Sequence, residues 1–156
     1  FSEDIDMSMR IRNAGFRIGL VRDAGVYHKR RVDFKKFMRQ VYVFGMSRIT
    51  LKLLYPDSLK AVHALPAVAV VLGVLCCVLG CLVSPLWFLP VGAYLLAVFV
   101  AAAVNTRSLK IALLAVPASI IQICGYGCGF IKAWFTKIVL GRGRNVDEEI
   151  EMRRGK

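Results

Sequence analysis

From Ala61 to Thr106 the chain carries no Asp, Glu, Lys or Arg, an apolar run of 46 residues. At about 1.5 Å per residue one helix over that run would reach roughly 69 Å, more than twice a hydrocarbon core of about 30 Å. The run therefore predicts two membrane spans, over 61–83 and 86–104. They are divided at Val83-Ser84-Pro85, where proline removes a backbone donor and stops an arriving helix. A second uncharged run, Ile111 to Ile131, is long enough to cross once. Within it, Pro117 and the cluster Gly125-Tyr126-Gly127-Cys128-Gly129 predict an irregular segment, bent or re-entrant near Pro117 or Gly125.

Upstream of the spans the periodicity changes twice. Over 1–31 the pattern reads as an α/β piece. Ser2 is placed to cap a helix whose first turn holds Glu3, Asp4 and Asp6, and Gly15 is placed to end it in the left-handed conformation. Phe16 to Val21 then predicts a short strand, Asp23-Ala24-Gly25 a turn, and Val26-Tyr27-His28 a second strand. Over 32–60, Phe34, Phe37, Met38, Val41 and Phe44 or Gly45 recur at three- and four-residue spacing, while Lys35, Lys36, Arg39 and Arg48 fall mostly elsewhere. A basic helix with an aromatic apolar side, directly before transmembrane spans, predicts an element lying in the membrane interface. Asp33 or Asp57 is the expected cap, and Tyr55-Pro56 the break. The resulting division is 1–31, 32–60, a transmembrane region over 61–134 and a polar tail over 135–156.

Charge sharpens this picture. Residues 1–60 hold 13 basic and 6 acidic side chains, and residues 131–156 hold 7 and 4, whereas 61–130 hold only Arg107 and Lys110. Basic flanks beside apolar spans point to an anionic membrane surface, so membrane lipids are the expected partner and nucleic acid is not. The same asymmetry predicts a multi-pass protein of the cell (plasma or inner) membrane with its N-terminal part cytoplasmic. All five cysteines lie in the apolar runs with no metal-ligand spacing, which argues against a disulfide framework or a zinc site. The spans contain no charged residue of the kind that marks a transporter's ion path.

The chemistry concentrates in the first thirty residues. The string Ser2-Glu3-Asp4-Ile5-Asp6-Met7-Ser8-Met9-Arg10-Ile11, followed by Gly15 and Val26-Tyr27-His28, resembles the end of the catalytic domain in membrane-bound family 2 glycosyltransferases. The likeness continues through Arg39-Gln40, Phe44-Gly45 and the spans to Tyr126-Gly127-Cys128-Gly129-Phe130. The resemblance implies the α/β end of a GT-A domain followed by interface helices and a helical membrane region. It implies that the chain is the C-terminal portion of an inverting enzyme of glycan or polysaccharide biosynthesis, with a nucleotide-sugar donor, a lipid-linked or glycan acceptor and a divalent metal (Mg or Mn). By resemblance Asp4 is the catalytic base, with Glu3 orienting the site. His28 then faces the metal and the donor diphosphate, Arg31 assists donor binding, and Arg39 and Gln40 lie at the acceptor side.

The residue types suit that assignment. Inverting transfer needs a carboxylate to take the acceptor hydroxyl's proton as its oxygen attacks the anomeric carbon. The plainer reading of three acids in a first turn is that they offset the helix dipole, and Asp6 is assigned that supporting role. Processive synthases of the family carry Gln-x-x-Arg-Trp on an interface helix, but here the stretch is Gln40-Val41-Tyr42-Val43-Phe44. That departure favours transfer of one sugar over polymerisation. The family's aspartate-rich metal motif and nucleotide-binding strands are not in this sequence, so these residues alone are expected to be inactive. The competing reading is a non-enzymatic membrane anchor or scaffold with lipid-binding basic flanks.

Overall fold

The computed structural model describes residues 3–21, 24–27 and 33–141. Five α-helices follow in order: α1 (Glu3–Asn13), α2 (Phe34–Leu54), α3 (Leu65–Leu82), α4 (Leu89–Thr106) and α5 (Leu109–Trp134). Short 3-10 turns at Pro56–Ser58, Ala61–Ala64 and Pro85–Phe88 join them, and α5 runs into a π-turn at Phe135–Val139. Three stretches, Ala61–Leu82, Pro85–Thr106 and Leu109–Val139, are long and apolar enough to cross a membrane.

Local chemistry sets the boundaries. Gly15, at φ +85°, closes α1, with its amide bonding Arg12 and the Phe16 amide bonding Ile11, the paired bonds of a Schellman cap. Asp33 caps α2 by accepting from the Lys35 amide at 2.7 Å, and Tyr55 ends it ahead of Pro56. Ser84 caps the turn at Pro85, and Ser108 caps α5 after Arg107 has turned the chain at φ 50°.

The expected α/β end does not form: among the described residues there is no strand. Phe16, Ile18 and Leu20 alternate as a strand would, yet Leu20 is 91% and Val26 92% exposed. A strand is held by the ladder of a neighbour, and two short strands alone are marginal in water. Of the expected turn Asp23-Ala24-Gly25, Asp23 lies outside the described residues, as do the second strand's end at His28 and the Ser2 cap.

The third apolar segment is also corrected. α5 is an uninterrupted helix through both Pro117 and the glycine cluster. Its glycines are contact positions instead. A Cβ on Gly129 would run into the Tyr42 carbonyl oxygen, and one on Gly45 into the Tyr126 carbonyl and the Phe130 amide. Gly125 faces Val41 and Met38, while Gly127 faces Pro66 and Val70 of α3. Small residues let helix backbones approach where no hydrophobic drive separates protein from lipid.

α2 packs along the C-terminal half of α5, and the pairs fix its direction. Val41 meets Gly125, Tyr42 meets Gly129, and the Thr50 hydroxyl accepts from Lys137 Nζ at 2.7 Å, so the two helices run the same way. Lys132 Nζ lies 5.9 Å from the Tyr42 ring centre, a cation–π contact along the same seam. Ile49, Ala67, Phe130 and Ala133 form the buried core where α2, α3 and α5 meet. The apolar side expected of α2 is divided by this packing. Val41 and Gly45 are buried against α5, whereas Phe34, Met38 and Phe44 stay exposed.

Candidate functional site

α1 opens at Glu3, with Asp4 one residue later on the exposed face and its carbonyl accepting from Ser8 Oγ at 2.7 Å. Asp6 is tied down on both carboxylate oxygens. Tyr55 donates its hydroxyl to Oδ1 at 2.8 Å, and Arg10 pairs with Oδ2 at 2.8 Å. Among the described residues this is the side-chain hydrogen bond that joins α1 to the membrane part. It sits at Tyr55, where α2 stops. Burial first, then the Asp6 carboxylate, hold the Tyr55 phenol above its ordinary value, so it stays protonated and donating at neutral pH. Contact with Tyr55 and then Asp6 keeps the Arg10 guanidinium charged.

Arg39 is exposed and Gln40 half-buried on α2. None of the described hydrogen bonds joins either of them to Asp4. His28 and Arg31, expected near metal and donor, lie outside the described residues. Among the described residues no cluster of three or more His, Cys, Asp or Glu side chains fits a metal ion.

The structure adds a site that the sequence reading missed. Arg48 of α2, His63 before α3, Tyr94 of α4, and Ser119, Gln122 and Tyr126 of α5 converge on a pocket of about 390 Å³. His63 Nδ1 accepts from the Lys60 amide at 3.0 Å, so the neutral ring carries its proton on Nε2. Tyr94 and Ser119 share a hydrogen bond of 3.2 Å between their hydroxyls. The one available signal was spacing: 119, 122 and 126 fall on one face of α5, a polar stripe in an otherwise apolar helix.

Comparison with known proteins follows the same boundaries. The family model described as Glycosyl transferase family group 2 matches residues 1–107, from α1 through α4. No curated protein and no solved structure matches the chain significantly.

Proposed function

The chain belongs to the glycosyl transferase family group 2, and from that premise we propose that it serves an inverting transfer of sugar from a nucleotide-sugar donor to a lipid-linked or glycan acceptor. The observation that carries the reading is the family match, which runs unbroken from the acidic helix α1 into the membrane helices. Asp4 acts as the base toward the acceptor hydroxyl, and Glu3 orients it. Asp6, engaged by Tyr55 and Arg10, instead holds α1 against the end of α2. In this proposal Arg39 and Gln40 lie on the acceptor's approach, while His28 and Arg31 serve the donor diphosphate.

A divalent metal (Mg or Mn) would neutralise that diphosphate; among the described residues no cluster of three or more His, Cys, Asp or Glu side chains is placed to hold it.

The same proposal puts α1, α2 and the end of α5 on the cytoplasmic side. α2 carries Lys35, Lys36, Arg39, Arg48 and Lys52, and the end of α5 and the π-turn packed on it carry Lys132 and Lys137. Each such charge costs about 2.5–3.5 kcal/mol at the centre of a membrane helix. This pair therefore belongs at or outside the boundary. The spans between α2 and the α5 terminus thus cross an even number of times.

The test is Asp4→Asn in the complete protein, assayed for sugar transfer and for donor binding. Transfer should fall about 10²–10⁴-fold with donor affinity kept, because the amide preserves size but cannot accept the proton. Near-normal turnover would leave Asp4 as a dipole-offsetting residue and remove this helix from the mechanism.

A further inference from the structure

The pocket between α2, the start of α3, α4 and α5 is built for an anion. Its polar lining consists of one guanidinium, one imidazole, two phenols, one hydroxyl and one carboxamide, with no carboxylate. Among the described residues no carboxylate pairs with Arg48, which lines the pocket together with Tyr126. The Lys60 amide occupies His63 Nδ1, which leaves Nε2–H to donate. Gln122 and Tyr126 stand one turn apart on α5 and add neutral donors to the same space. A partly buried cation with several convergent donors and no counterion recognises phosphate oxygens, to which arginine is geometrically suited.

The position of the pocket identifies the carrier of that phosphate. Its Val62 and His63 edge lies where the apolar stretch Ala61–Leu82 begins, beside the basic helix α2, while Tyr94 and Ser119 close it within the apolar helices; anionic headgroups gather at such a basic edge. Its rim is apolar and open: Val62, a lining residue, is 57% exposed, and Leu65 beside it is 61% exposed. A hydrocarbon chain can therefore leave the pocket sideways along α3 while its headgroup stays on Arg48. A soluble anion would gain nothing from that rim.

We propose that this pocket binds the phosphate of a membrane lipid, with Arg48 as its charge partner and His63, Gln122 and Tyr126 as neutral donors.

The test places the complete protein in phosphatidylcholine nanodiscs doped with phosphatidic acid and reads retained lipid by native mass spectrometry. Wild type and Lys36→Gln, an exposed charge on α2, should retain phosphatidic acid. Arg48→Gln should bind it about 10- to 100-fold more weakly, as expected for a lost hydrogen-bonded charge partner. Gln122→Leu, which keeps every charge, should weaken it several-fold, and inorganic phosphate should not displace it. Equal retention by Arg48→Gln, equal loss by Lys36→Gln, or displacement by inorganic phosphate alone each overturns the proposal. Retention is read by mass and not by turnover, so the two readings separate. A protein that holds phosphatidic acid through Arg48 but neither transfers nor hydrolyses sugar upholds the pocket and refutes the glycosyl-transfer reading.

Discussion

Replacing Gly129 with alanine should separate the two helices on which the membrane part is assembled. The added methyl would meet the Tyr42 carbonyl oxygen, a backbone atom that no rotamer change can move aside. α2 and α5 must therefore shift apart, and overpacking of this kind costs roughly 1–3 kcal/mol. Against it stands the gain of alanine over glycine within a helix, roughly 0.5–1 kcal/mol. The balance is a net loss of up to about 2.5 kcal/mol, which for a chain of this size lowers Tm by up to about 10 °C. Gly73→Ala is the internal control. It lies in α3 with nothing within 4 Å of the new methyl, so only the helix gain remains. Gly125→Ala should fall between them, because the Val41 methyl and Met38 sulfur that it meets are side-chain atoms able to give way. The assay is thermal unfolding of each variant in the same detergent, followed by the monodisperse fraction surviving heating. A Gly129→Ala protein that melts at or above Gly73→Ala would refute the close contact between α2 and α5.

Tyr55→Phe removes the hydroxyl that joins α1 to α2, and should loosen α1 by about 1 kcal/mol, seen as faster amide exchange in residues 3–13. Turnover should fall while donor affinity holds; unchanged exchange would mean that α1 is anchored elsewhere. The raised Tyr55 pKa carries a sign: the stabilisation is fully present below the phenol's ordinary value, near 10, and is lost as pH rises through the folded-state value. Exchange protection of α1 should accordingly persist through neutral pH and fall only in strong alkali, and loss below pH 9 would contradict it. A cysteine placed at Gly155 should resist labelling by membrane-impermeant reagent in intact cells, whereas labelling from outside would overturn the even number of crossings. His28→Ala should weaken metal-dependent donor binding more than it slows transfer at saturating donor, and the reverse order would remove His28 from the donor side.

The parts of this molecule that were legible in sequence are those set by one stretch of chain. The uncharged run from Ala61 to Thr106 and the break at Ser84-Pro85 need no partner to be read, because hydropathy and a missing amide act locally. Gly15, Asp33 and Tyr55-Pro56 are likewise local devices, and each ends or starts a helix in the structure. The glycine cluster misled for a physical reason. Glycine marks both irregular backbone and close helix contact, and the choice here is made by Val41, Tyr42 and Gly45, some eighty residues away in sequence. The strand pattern at Phe16–Val21 failed for a related reason, since alternation describes a surface that some neighbour must cover, and among the described residues none does.

The binding pocket is the sharpest case of that distinction. Arg48 reads as one more base on a basic helix, His63 as an interfacial residue, and Gln122 as a lone amide in an apolar run. Taken singly, each has an ordinary explanation at a membrane surface. Only the packing of α2 and the start of α3 against α5 brings them around one space, and that packing depends on glycine at 45, 125, 127 and 129. The glycines and the pocket are therefore one device. Enlarging Gly129 should widen the α2–α5 gap and move Arg48 away from Gln122 and Tyr126. Gly129→Ala should then weaken phosphatidic acid retention although it touches no pocket residue, while Gly73→Ala leaves retention unchanged. Equal retention by both variants would separate the pocket from the α2–α5 seam.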